Sequence, residues 1–238
     1  MMAWFFSTEY KDYEHEVRYA PKVKTIPSER ERLDALGKSL AQALFERSGA
    51  ERLPMNSPEF PWWGSGEFPN PMKGWRWPMP DAPFRTSLAR VEGPLVDIVS
   101  SCFGAWGISE RVIDMIEAIE PGVHQYLPLE LLQPDGTVHP DRRWLLNVCT
   151  RAEVIDVERS NVMWLEPPME YLFADASVDR RLVVKAEEAS RRAIWFEWRY
   201  FQGGFGNLVS DALWNALQDA GVHGWAPHVD YPRHIEEL

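Results

Sequence analysis

A chain of 238 residues with 45% apolar and 13% aromatic side chains is long enough for one large domain or two small ones, and its composition is that of a globular protein with a real core. The net charge of −11 falls wholly after Leu95: residues 1–95 hold 13 basic and 13 acidic side chains, the remainder 12 against 23. An acidic half-chain repels phosphate backbones, which disfavours nucleic acid as a partner, and no apolar run approaches the ~18 residues of a membrane span.

The same acidity fits either a merely soluble surface or one that steers a basic partner. Cys102 and Cys149 both lie among apolar neighbours, which suits two buried free thiols in a reducing compartment better than one disulfide. The N-terminus has no basic stretch and only a short apolar run. No signal peptide is expected, and the cytoplasm is the expected compartment.

Taken in chain order, residues 3–26 alternate aromatics and charges loosely and predict one or two strands. Ser28 to Glu31 form a capping box ahead of a helix over 28–48 that buries Leu33, Leu36, Leu40 and Leu44. Residues 53–83 then carry eight prolines with Trp62, Trp63, Trp75 and Trp77. So many prolines forbid a regular helix or a central strand. Two readings of this strap stay open. It wraps the core and buries its rings, or it is a binding loop whose flat rings anchor a protein partner or stack on a sugar.

Val91–Val99 predicts a short strand or turn. Ser109 is placed to cap a helix over 110–120, with Val112, Ile113, Ile116 and Ile119 on one face and Glu110, Asp114 and Glu117 on another. Pro121-Gly122 stops it. Strands follow around Tyr126–Leu132, Trp144–Cys149, Val154–Val157 and Asn161–Leu165, with a turn at Pro134-Asp135-Gly136. Leu182–Val184 and Ile194–Trp198 predict further strands. A helix over 209–220, capped by Ser210 and closed at Gly221, buries Leu213, Leu217 and Ala220. The two units, each a Ser-capped helix followed by Gly-Val-His, read either as a weak internal repeat or as two ordinary capped helices followed by edge strands. The fold class expected is α+β: a mainly antiparallel sheet with about three main helices. A region 1–95 carries the first helix and the strap, and 96–238 forms the core, together one compact domain.

Chemistry is hard to place on this chain. His223, His228 and His234 are spaced too irregularly, and among too many prolines, for a helical metal pair. His124 and His139 flank a predicted hairpin and could approach one another, but no further ligand completes a site. Gly203-Gly204-Phe205-Gly206 lacks both the dinucleotide fingerprint and a Walker lysine. Asp156/Glu158 and Glu187/Glu188 are paired carboxylates whose facing geometry sequence cannot show. No metal and no cofactor is expected. The acidic face of Glu110, Asp114 and Glu117, with only Arg111 as a local countercharge, is either a solvated face or a docking surface for a basic partner.

The series Ile108-Ser109-Glu110-Arg111, then Glu120 to Tyr126, Trp144 to Val148 and Ile155 to Ser160, resembles the immunity-protein-eleven family. Leu208-Val209-Ser210 and Ala220 to Gly224 resemble the closing helix of that family. The resemblance covers about Val91–Pro227, and the first ninety residues match it loosely. These are antidote proteins of bacterial polymorphic-toxin systems, type VI secretion systems included. It implies a cytoplasmic, non-enzymatic protein that binds a cognate toxin and neutralises it by stoichiometric occlusion. Ser109, Asp156, Glu158, Ser160, Ser210 and Gly221 would then be signature residues that hold the scaffold. Partner contacts would fall on Glu110, Asp114, Glu117 and the four Trp of the strap. The alternative function is a carbohydrate-binding or carbohydrate-active protein using those rings.

Overall fold

The computed structural model describes residues 3–7, 23–24, 26–29, 31–32, 35, 76, 79–88, 95–100, 105–164, 171–173, 182–197, 207–227 and 236–237. They form an α+β fold on two mixed sheets. The six-stranded sheet runs in the order β2 (Val23–Lys24), β3 (Phe84–Leu88), β6 (Gln125–Leu132), β7 (Arg143–Asn147), β5 (Trp106–Ile108) and β4 (Ile98–Ser100). The five-stranded sheet runs β14 (Ala226–Pro227), β1 (Ala3–Ser7), β13 (Asn207–Ser210), β12 (Ile194–Glu197) and β8 (Arg151–Ala152). Two smaller pairs join β9 (Val162–Trp164) to β10 (Tyr171–Phe173) and β11 (Val183–Val184) to β15 (Glu236–Glu237). Antiparallel pairs predominate, as expected, yet each large sheet contains a parallel one, β3–β6 and β8–β12.

The strand β6 shows why the pattern works. Its eight residues alternate buried and half-buried, with Gln125, Leu127, Leu129 and Leu131 turned inward. Period-two alternation puts all four on one face. Pro128 falls inside this central strand, a position sequence rules disfavour. The neighbouring β3 joins only at Leu129, so Pro128 lies where β6 is paired on one side alone. The turn at 134–136 forms as read: the Asp135 carboxylate accepts from the Thr137 N–H at 2.9 Å, and Gly136 takes a positive φ of 85°.

Residues 27–29, 31, 32 and 35 are helical (α1), and the rest of the expected helix 28–48 lies outside the described residues. α2 (Glu110–Ile119) buries Val112 and Ile116, and α4 (Asp211–Asp219) buries Leu213, Trp214 and Leu217. The two helices pack on each other in one core with Ile98, Ile108 and Leu146 of the six-stranded sheet and Ile194 and Val209 of the five-stranded sheet. One strand position further along, Trp195 and Leu208 point the other way, into a second core with Val154, Ile155, Leu182 and Val184. The five-stranded sheet is thus covered on both faces, which is why β12 is buried throughout.

Three expectations need correction. Val154–Val157 is not a strand: only Ile155 bridges to Val184, and residues 157–159 turn. The Asp156 carboxylate accepts from the Arg159 N–H at 3.2 Å, and such an Asx contact favours a turn over a ladder. A short helix α3 (Ala186–Ser190) was not expected. It carries the ion pairs Glu187–Arg191 and Glu188–Arg192, so the two carboxylates meet the arginines one helical turn on. The second unit opens later than expected, with residues 207–210 extended as β13 before α4 begins.

Candidate partner-binding site

The residues singled out around α2 fall into distinct roles. Glu110 and Asp114 are exposed on its outer face. Glu117 is engaged instead: one carboxylate oxygen accepts from the Tyr126 hydroxyl at 2.7 Å and the other from the Gly122 N–H at 2.6 Å. Burial, and then the adjacent Glu117 carboxylate, push the Tyr126 phenol far above its ordinary range, so it stays a donor. This contact ties α2 down onto β6.

The cation among these acids is also engaged. Arg111 reaches Asp97 at 2.6 Å and donates to the backbone carbonyls of Ala220 and Gly221 at the end of α4. The start of α2 therefore meets the end of α4, and the helices run antiparallel. A guanidinium on the last carbonyls of a helix also offsets its dipole. Asp97 collects three donors: Arg111, the Ser109 hydroxyl at 2.9 Å and the His223 N–H at 3.3 Å. Burial pushes this carboxyl up, and the three hydrogen bonds outweigh it, leaving Asp97 below its ordinary value. Ser109 stands at the N-cap position as expected, but its hydroxyl donates to Asp97 rather than accepting from the helix. Ser210 does cap, accepting from the Leu213 N–H at 3.3 Å.

A second hub lies at the far end of α2. Buried Glu120 accepts from the Thr150 hydroxyl at 2.8 Å, the Ala193 N–H at 2.9 Å and His124 Nε2 at 3.2 Å. His124 Nδ1 accepts from the Cys149 N–H at 3.3 Å, which leaves Nε2 as the donor to Glu120 and fixes a neutral tautomer. Burial again raises Glu120, and the hydrogen bonds hold it below its ordinary value. Burial pushes the Cys149 thiol up to about 11, with Arg76 opposing, so this cysteine is a poor nucleophile.

Arg76 is the one described residue between Trp75 and Trp77. It is exposed, and its guanidinium donates to the carbonyls of Gly122 and Val123, just past α2. Met79 takes a long contact at 3.6 Å from the Gln125 amide, and Arg32 donates to Ala82 and Pro83. Trp62, Trp63, Trp75 and Trp77 lie outside the described residues, as does Cys102.

Several of the expected signature residues make contacts within the fold. Ser160 donates to the Asp156 carbonyl at 2.6 Å and accepts from the Val183 N–H at 2.9 Å, locking the turn against β11. Glu158 is exposed on that turn. Gly221 adopts φ +61°, and Gly122 adopts +69° at the matching place after α2. His124 and His139 do not approach one another: they stand at opposite ends of β6, about 20 Å apart at strand rise. Among the described residues no three His, Cys, Asp or Glu gather as for a metal. A groove of about 520 Å³ lies beside the β6–β7 hairpin, lined by Trp144, Pro128, Glu130 and Asp141 among others. Its Glu130 is held by Arg85 at 2.9 Å.

Sequence reasoning passed over Asp97, Glu120 and Arg76. The available signal for the first two was an acid bordering an apolar run.

The geometry is that of an α+β scaffold: a helix pair packs with both large sheets and leaves Glu110 and Asp114 exposed on the outer face of α2. The family model for the Immunity protein family (Imm11) matches residues 18–229, and the chain belongs to that family. The match takes in most of the first ninety residues, beyond the Val91–Pro227 span of the sequence resemblance. Membership implies a toxin-neutralising immunity role and a cognate toxin as partner. None of the curated proteins compared matches the chain. No helix among the described residues is long and apolar enough to cross a membrane.

Proposed function

We propose that this protein neutralises its toxin by stoichiometric occlusion in the cytoplasm of the producing cell or its kin, without catalysis of its own. Its system would be a polymorphic-toxin system of the type VI kind. The observation that supports this most is the state of the charges on α2. Glu110 and Asp114 face solvent, while Arg111 is drawn away to Asp97 and the end of α4. An acidic surface whose local countercharge is engaged elsewhere favours a basic partner, raising association rate and rejecting acidic proteins. Occlusion needs no reacting groups, only a surface shaped and charged against the toxin's site. The Trp residues of the strap would add the apolar anchors that such interfaces depend on.

Co-expression with the toxin encoded beside this gene tests the reading. A one-to-one complex that weakens with salt, together with protection of the cell, is the expected result. Loss of both complex and protection would refute it. The carbohydrate reading draws little support from the described groove: its one Trp, Trp144, is not a ring of the strap, and of its two carboxylates Glu130 is paired with Arg85 and Asp141 lies 4.0 Å from His139.

A further inference from the structure

The last turn of α2 holds no basic residue, and Glu117 and Glu120 stand there with the partial negative charge of the helix end. The compensating cation comes from elsewhere in the chain. Arg76 places its guanidinium on the Gly122 and Val123 carbonyls, 46 and 47 residues on. Both bonds leave one guanidinium nitrogen, Nη2, whose two N–H groups serve the two adjacent carbonyl oxygens. These two carbonyls place the guanidinium at the junction between α2 and β6. Nearby, Met79 touches Gln125 at the start of β6, and Arg32 holds the carbonyls of Ala82 and Pro83. Of these contacts, only that of Arg76 reaches the chain just past the acidic helix.

We propose that Arg76 is a positioning residue for partner recognition: it fixes the stretch containing residues 76 and 79–83 to the C-terminal end of α2, so that loop and acidic helix meet the toxin as one surface. This rests on the occlusion reading above and extends it. Arg76 and α2 are apart in sequence, and the two hydrogen bonds of Arg76 join its loop to the chain just past that helix.

The test compares Arg76→Ala, Arg76→Gln and Arg76→Lys in the full chain by hydrogen exchange and by titration with a catalytically inactivated form of the neighbouring toxin. Arg76→Ala is expected to speed exchange in peptides covering 76–88 several-fold and to weaken the complex about tenfold. Arg76→Lys should recover part of both effects and Arg76→Gln less, because the charge matters along with the donors. Thermal midpoints should stay close together, since the residue is exposed. Unchanged exchange in Arg76→Ala overturns the proposal, as does faster exchange with unchanged toxin affinity. If the unaltered protein fails to bind the toxin, the occlusion reading falls, and the exchange measurement alone still decides whether Arg76 holds the loop.

Discussion

Asp97 and Arg111 meet at 2.6 Å, and through that pair the start of one helix is bound to the end of another. Asp97 precedes β4, Arg111 opens α2, and the carbonyls that Arg111 also reaches close α4. A single carboxylate thus joins the start of α2, the segment before β4 and the chain just past α4. Asp97→Ala leaves a guanidinium, a hydroxyl and the His223 N–H short of their acceptor. We expect a loss of about 2 kcal/mol, seen as a fall of roughly 4–8 °C in the thermal midpoint. Asp97→Asn should cost less, because it keeps an acceptor.

Gly224 allows a closer approach than any side chain would. It adopts φ +99°, and a Cβ there would lie 1.9 Å from the Ile98 carbonyl oxygen. Gly224→Ala is expected to cost about 4 kcal/mol or more, since backbone rather than a side-chain tip must move. Gly122→Ala, with φ +69° and open space around it, should cost only about 1–2 kcal/mol. Chemical denaturation of the two variants side by side checks the contrast.

Acid should loosen the fold in a defined window. Asp97 and Glu120 both titrate below their ordinary values of 3.8 and 4.5 in the folded protein. A carboxyl lowered on folding stabilises the folded state fully above its unfolded value and loses that contribution as pH falls through its folded one. Stability should therefore be level above about pH 5 for these two groups and decline from 4.5 downward. Glu120→Gln should flatten part of that decline while lowering stability at neutral pH. Urea titrations from pH 7 to pH 3 measure both.

Charge reversal on the outer face of α2 should leave the fold alone. Glu110→Lys with Asp114→Lys alters two exposed side chains. The expected effect is an association rate with a basic toxin slower by about tenfold at low salt, with little change in dissociation. Stopped-flow mixing at two ionic strengths reads it, and an unchanged salt dependence would remove this face from the interface.

Cys149 should resist alkylation near neutral pH, because burial lifts its thiol to about 11. Iodoacetamide is expected to label it slowly in the folded protein and fully in denaturant, followed by mass spectrometry.

The parts of the fold that could be read in advance are those with local rules. The apolar spacing of Val112 and Ile116, the alternation from Gln125 to Leu131 and the turn at Asp135-Gly136 each depend on neighbours a few residues away. The hubs could not be read in the same way. Asp97 draws partners from 12, 14 and 126 positions away, and Glu120 from 4, 30 and 73. No periodicity encodes such distances. Ser109 is an instructive middle case: its cap position was legible, and its actual hydrogen-bond partner was not. Arg76 was overshadowed by the tryptophans on either side of it. The helix α3 has only five residues, too few to carry a pattern.

The place of β1 in the five-stranded sheet sets an order of events. Ala3–Ser7 pairs on one side with Leu208–Ser210 and on the other with Ala226–Pro227. Once β1 is made, some two hundred further residues must follow before its neighbours exist, and contacts of such separation are slow to form. A nascent chain of this protein therefore has no complete central sheet to offer. In the immunity role that family membership implies, the molecules that count are those already finished when the toxin arrives.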